Sequence, residues 1–367
     1  MKNSGRLNQR SSGRRSFLKN GVLASSALVT AGWLGGSATA LAQPADDNND
    51  NNDNNELTDG DIAILRFLAA AEILESDLWT QYAELGGNTN GALNPYQLAF
   101  QNLDGDATQY ITSNTLDEVS HAEFLNAYLE FKGAEPVDLD AFRNLQGSKA
   151  TGAQNIGRLT NLMHLNVDTS WYIRYRSTTN PDMGATFPQA INIVNRTAIP
   201  RTDADMSNKN EIQVIANTAA FHFGTIEQGG SSLYSSLSRK VTSEQALEIT
   251  IGIGGDEVAH FLEWVDFAGN GVQPPVAPVS FGGLTFPDFT KKGPLFQPNL
   301  IFPVPCEFIK AKLPHCAIIR PLTDKFGGAR AAAAFLTNMN LFAGQPKQFF
   351  TTLNRLADQA DAAKRES

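Results

Sequence analysis

Two five-residue stretches, Asp117-Glu118-Val119-Ser120-His121 and Asp256-Glu257-Val258-Ala259-His260, share four of their five residues, and each contains Glu-x-x-His. On an α-helix a three-residue step turns a side chain through roughly 300°, so Glu and His project from one face about 4.5 Å apart along the axis. One such pair can hold one metal ion. Two pairs on facing helices can hold two ions if further carboxylates bridge them. In a four-helix bundle that site takes a Glu from each of two helices and Glu-x-x-His from each of the other two. A single Glu-x-x-His is more often an exposed pair on a solvated helix face. The weight lies in the repeat.

The two remaining glutamates are in place. Leu65, Leu68, Ala69, Glu72, Ser76 and Trp79 fall on one stripe of a long apolar helical pattern, and Ala220, Phe223, Gly224, Glu227, Ser231 and Tyr234 fall on another. Each glutamate has an aromatic residue seven positions later, preceded by Leu: Leu78-Trp79 and Leu233-Tyr234. The order is Glu, Glu-x-x-His, Glu, Glu-x-x-His, one helix pair repeated. The candidate metal ligands are therefore Glu72, Glu118, His121, Glu227, Glu257 and His260. Four buried carboxylates must be neutralised by metal or by protons. Four carboxylates and two imidazoles suit two ions of iron first, then manganese, with zinc a further fit. Bridged ions about 3.5–4 Å apart can share one small oxygen species. Ser76, Ala122, Gly230 and Ser231 are small and leave room for dioxygen or peroxide.

The segments Ala71 to Trp79, Asp117 to Leu125, Ile226 to Tyr234 and Glu257 to His260 resemble the ferritin-like superfamily, over roughly residues 60 to 270. Within it the chain is similar to bacterial ferritin-like domain proteins related to desiccation-related proteins. The resemblance implies an all-α fold: a ferritin-like four-helix bundle with a long crossover between its second and third helices and a partly irregular C-terminal extension.

The helices that must position the six residues are legible from their caps. The first begins near Thr58-Asp59 and runs to about Leu85, stopped by Gly86-Gly87-Asn88. The second starts near Asp106 or Thr108 and ends at Lys132-Gly133. The third spans about Asn210 to Leu237. The fourth begins at Thr242, with Gln245 completing a capping box, and reaches Phe267. Gly252, Gly254 and Gly255 interrupt its pattern just before Glu257. The domain reading is an export signal over 1–42, an Asp/Asn-rich disordered linker over 43–57, the bundle over 58–270, and an extension over 271–367 packed on it.

Some seventy-five residues separate the second and third helices, far more than a hairpin needs. Within them Asn155 to Arg176 has a helical pattern, with Ile156, Leu159, Leu162, Met163, Asn166 and Trp171-Tyr172 on the core side. His164 reads as a packed or surface residue, with a proton relay as the sharper alternative. Trp171, Tyr172 and Tyr175 read as packing, with an access channel as the alternative. Glu75 is a candidate for a supporting acid or an alternative ligand, and His222 points away from Glu227. Glu123, Glu248 and Glu263 fit solvated faces. From Gln273 to Pro305, Pro, Gly and Phe exclude a long helix, and Arg330 to Phe342 and Pro346 to Ala363 then form two short helices. Cys306 and Cys316 read as a disulfide in an exported protein, closing a short loop for roughly 2–3 kcal/mol; a zinc site with His315 is the alternative.

The N-terminus carries an address. Ser12-Gly13-Arg14-Arg15-Ser16-Phe17-Leu18-Lys19 looks like a twin-arginine signal, followed by a modest apolar run from Val22 to Leu34 and by Ala40-Leu41-Ala42, which places cleavage before Gln43. That run is short and weakly apolar for a span, so no span is expected in the mature chain. Asp46 to Asn55 holds only Asp and Asn, a self-repelling tether more than a calcium site. The net charge is −9, and removing the six basic residues of the first 42 leaves 23 basic against 38 acidic residues, or −15. Such acidity disfavours nucleic acid and anionic membranes. The expected partner is dioxygen, peroxide or ferrous iron, with a homo-oligomer left open. Three functions follow: an exported di-metal oxidoreductase acting in stress protection, a ferroxidase or iron handler, or a non-enzymatic desiccation-related scaffold.

Overall fold

Asp61 shows how tightly the sequence writes the start of the first helix, α1 (Asp59–Gly86). Thr58 accepts from the Asp61 amide while the Asp61 carboxylate accepts from the Thr58 amide, a reciprocal capping box. The computed structural model describes residues 56–178, 188–298, 300–318 and 327–366. The expected signal over 1–42 and all but the last two residues of the linker lie outside the described residues.

Four long helices carry the core: α1, α3 (Ala107–Phe131), α5 (Lys209–Leu237) and α6 (Glu244–Asn270). The short α2 (Pro95–Gln101) turns the chain between the first two. The glycine run does not interrupt α6, which is continuous from Glu244. Its cap is Ser243, not Thr242: the Ser243 hydroxyl accepts from the Ala246 amide. Gln245 closes no box and instead accepts from the Tyr128 hydroxyl.

Contacts fix the directions. Ser76 bonds to Glu118 and Thr115 to Trp79, so α1 and α3 are antiparallel. Asn217 meets Gly271 and Gly254 faces Tyr234, so α5 and α6 are antiparallel. Tyr82 pairs with His222 and Tyr234 with Glu72, making α1 and α5 antiparallel across the core. Helices α3 and α5 therefore run the same way, and only a connection as long as the bundle can join them.

That connection is not the helix expected over Asn155 to Arg176. It forms two-stranded ribbons, β1 (Leu145–Gln146) with β2 (Gly157–Arg158) and β3 (Leu165–Val167) with β4 (Ile193–Arg196), and among the described residues its one α-helix is α4 (Trp171–Arg174), beside short 3-10 turns at Asp140–Phe142 and Asp203–Met206. The reason is local competition for backbone donors. One oxygen of Asp77, buried on α1, accepts from the Leu159 and Thr160 amides and the Thr160 hydroxyl. The Asn161 amide goes to the carbonyl of Leu341. Backbone groups spent this way cannot close helical turns. Leu159, Leu162, Trp171 and Tyr172 are still buried as the periodicity implied, while Ile156 is exposed.

Beyond α6, Gly282 and Gly283, both with positive φ, turn the hairpin of β5 (Val279–Phe281) and β6 (Leu284–Phe286). Two helices follow, α7 (Ala329–Asn338) and α8 (Lys347–Ala362), and α8 packs on α1. The Asp361 carboxylate on α8 accepts from the Ala329 and Arg330 amides and so caps α7. Cys306 and Cys316 face each other across an antiparallel bridge, but both are free thiols, so the expected disulfide is not formed. All described residues belong to one compact unit, Asp53–Ser367, and no described helix is long and apolar enough to cross a membrane.

Candidate metal centre

The six residues singled out by spacing converge. Glu72, Glu118, His121 and Glu257 form one group whose ligand atoms all lie within 4.8 Å of one another, and Glu118, Glu227, Glu257 and His260 form a second. All six are buried. The two groups share Glu118 and Glu257, the glutamates of the repeated pentapeptides. Glu72 from α1 belongs to one group alone, and Glu227 from α5 to the other.

His121 Nδ1 lies 3.5 Å from both Glu72 and Glu118, and His260 Nδ1 lies 3.1 Å from Glu118 and 3.3 Å from Glu227. Every one of the six contributes an inward atom with no hydrogen-bond partner: Glu72 Oε2, Glu118 Oε2, Glu227 Oε2, both Glu257 oxygens, and Nδ1 of each histidine. Buried polar atoms are ordinarily satisfied. A concentric set of orphaned carboxylate and imidazole atoms suits a pair of cations, so the residues present fit a di-metal group.

The electrostatics agree. Burial, with the Glu227 carboxylate next, pushes Glu118 up to about 8 against the pull of His121 and His260. Burial, Glu118 and Glu75 hold Glu257 well above the carboxylate range. For His121 burial works downward, yet the facing carboxylates of Glu118 and Glu72 raise it to about 10. His260 is raised too, burial opposing and Glu227 leading the increase. Without cations the cluster holds protons instead.

The second nitrogen of each histidine is held from the opposite helix. His260 Nε2 lies 3.2 Å from Asp117 on α3, and His121 Nε2 lies 3.3 Å from Asp256 on α6. A carboxylate on the outer nitrogen fixes the tautomer and aims the inner one at the site. Both aspartates are the shared first letter of the repeated pentapeptides, and spacing alone gives them no role. With His260 they also form a third, half-exposed group of ligand atoms.

Around the cluster, Trp264 Nε1 donates to Asn114 Oδ1 (2.6 Å), and Asn114 Nδ2 donates to Glu118 (2.9 Å) and Glu227 (3.3 Å). The Tyr234 hydroxyl donates to Glu72. The aromatic residue seven after Glu227 thus serves the other glutamate. Gly230 has a strict reason: a Cβ there would lie 1.9 Å from Glu257 Oε2.

The ferritin-like domain family matches residues 60–264, more than half of the 367 residues. The chain belongs to that family. No curated protein and no solved structure matches it.

Other residues weighed for this ferritin-like chain fall outside the centre. His222 is buried on α5 with Nδ1 2.8 Å from the Tyr82 hydroxyl, and burial lowers it to about 3. His164 is exposed and bonds to Asn195, which removes the relay reading. Trp171 fills the space over Gly224 and donates to Thr225, so it packs and lines no channel. Glu75 is buried beside the cluster, its carboxyl pushed well up by burial and then by Glu72, Glu118 and Glu227. Glu123 and Glu248 are exposed as expected. Glu263 is not on a solvated face: it is partly buried, and burial with Asp104 and Asp266 raises it to about 7. No group of potential metal ligands among the described residues includes a cysteine.

Proposed function

We propose that this ferritin-like protein binds two metal ions, iron first and manganese second, through Glu72, Glu118, His121, Glu227, Glu257 and His260, and uses them in redox chemistry on peroxide or dioxygen outside the cytoplasm. The observation that carries this reading is the ring of inward atoms without hydrogen-bond partners, one or more from each of the six residues. Two such ions would supply reversible one-electron steps close enough to act on one small oxygen species.

The protein's own part is positional. Asp117 and Asp256 keep both imidazoles aimed inward, Asn114 orients Glu118 and Glu227, and the Tyr234 hydroxyl holds Glu72. Export rests on Arg14-Arg15 and the small residues before Gln43, and the role in stress protection rests on the resemblance to desiccation-related proteins. A second reading, oxidation of ferrous iron, draws on the half-exposed group of Asp117, Asp256 and His260, where a cation arriving from solvent would first meet carboxylates.

The test is elemental analysis of protein purified after native export, followed by peroxide consumption measured against ferrous-iron oxidation. Two equivalents of iron or manganese with peroxide turnover is the expected result. Faster ferrous oxidation selects the second reading. Protein that takes up no transition metal would reduce the fold to a non-enzymatic scaffold.

A further inference from the structure

Helix α6 carries glycines at 252, 254 and 255, where a helix interior favours alanine. Gly254 has a packing reason, since a Cβ there would lie 2.7 Å from Tyr234 Cβ. Gly252 and Gly255 do not: an added Cβ at either meets nothing within 4 Å. Both are exposed and border a groove of about 700 Å3 between α3 and α6. Phe124 and Tyr128 form one wall, their rings 6.1 Å apart and within 15° of parallel. Ile249 and Ile253 stand with the glycines on the other side. The inner end is His121, which separates the groove from the metal cluster: its Nε2 faces Asp256 and its Nδ1 faces Glu72 and Glu118.

We propose that this groove binds a neutral, planar, hydroxylated aromatic molecule of the hydroquinone class, the electron donor for the di-metal centre. The redox role rests on the function proposed above; the binding site does not. Glycines without side chains on one side and a pair of near-parallel rings on the other leave space suited to an aromatic ring. A side chain at 252 or 255 would fill that space. Charge narrows the class. Glu248 and Asp256 line the groove, and no lysine or arginine does among the described residues, Lys132 Nζ standing 5.8 Å from the centroid of the Tyr128 ring, so carboxylates and phosphates are disfavoured. A hydrated cation gains nothing from Phe124, Ile249 and Ile253. A neutral phenol suits both the apolar walls and the carboxylate ends, where its hydroxyls can donate. The reaction balances with peroxide as oxidant. Both O–H bonds of the hydroquinone break, and its two electrons and two protons pass to peroxide. The O–O bond breaks, and the products are one quinone and two waters.

The test uses the full exported chain, stripped of metal by chelation and kept anaerobic, with hydroquinone as the probe and binding read by calorimetry and ligand-observed NMR. The parent should bind hydroquinone, and Gly252→Leu should weaken it at least about tenfold by filling the groove. Its melting temperature should not fall, because leucine is the better helix former, and it should still take up two metals. Benzoate, with the same ring and a negative charge, should bind at least about tenfold more weakly than hydroquinone. Equal binding by parent and Gly252→Leu, or by benzoate and hydroquinone, overturns the site. A parent that binds no hydroquinone but elutes as a dimer that Gly252→Leu dissociates also overturns it, assigning the groove to a second copy. Hydroquinone bound by protein that takes up no metal supports the groove and overturns the donor role.

Discussion

Glu227 and Glu72 enter the centre from opposite helices, each belonging to only one of the two ligand groups. Glu227→Ala should therefore take metal occupancy from two towards one, read by elemental analysis. The fold should survive, since a buried carboxylate without its cation is an electrostatic cost. Glu248→Ala, on the exposed face, should leave occupancy at two. Asp117→Asn tests the outer hold on His260: metal affinity measured by competition with a chelator should fall about 10–100-fold with the helix content unchanged. His222 has a different signature. Its folded value near 3 lies below the ordinary 6.5, so the unfolded chain binds the proton first. Its contribution is present above pH 6.5 and is lost as pH falls towards 3, by about 1.4 kcal/mol per pH unit in that window. In metal-free protein, His222→Gln should flatten the drop in melting temperature between pH 7 and pH 4; an unchanged drop would place the acid sensitivity elsewhere.

The helices distinguish two kinds of glycine. At Gly252 the helix is exposed and unencumbered, and Gly252→Ala should stabilise the fold by about 1 kcal/mol. Gly254→Ala should destabilise it, because the new methyl meets Tyr234, and should disturb the Tyr234 hydrogen bond to Glu72 as well. Denaturant midpoints would separate the two. Sequence spacing could read α1, α3, α5 and α6 because buried faces at helical period and caps at Thr58 and Gly133 are local signals. It could also read all six residues of the cluster, because a two-fold repeat states the same arrangement twice. It misread Asn155 to Arg176 because what holds that chain extended is Asp77, some eighty residues earlier, and Leu341, far later. It missed Asp117 and Asp256 because their partners sit on the facing helix, while i,i+4 spacing points to the histidine on the same one. It placed the α6 cap one residue early, a matter of which hydroxyl turns inward.

At the scale of the whole molecule, the buried cluster bears on the export we propose from Arg14-Arg15. A site enclosed by four helices is complete only once the chain has folded, and the twin-arginine route carries folded proteins. Arg14→Lys with Arg15→Lys should leave precursor in the cytoplasm, by fractionation and immunoblotting, while the wild-type exported form should begin at Gln43. Normal export of the double variant would refute that address. The free thiols of Cys306 and Cys316 belong to this scale too, since they face each other on a bridge in the extension and belong to no candidate ligand group among the described residues.

The crossed pairing of each histidine with the other half's aspartate has a consequence for ancestry. A lone hairpin of α1 and α3 would own one glutamate, one Glu-x-x-His and an Asp117 with no histidine opposite. Two copies turned about a two-fold axis would complete each other, each aspartate reaching into its twin. What is now the interior would then have been an isologous subunit interface, and the long crossover would be the tether joining the two halves in a single chain.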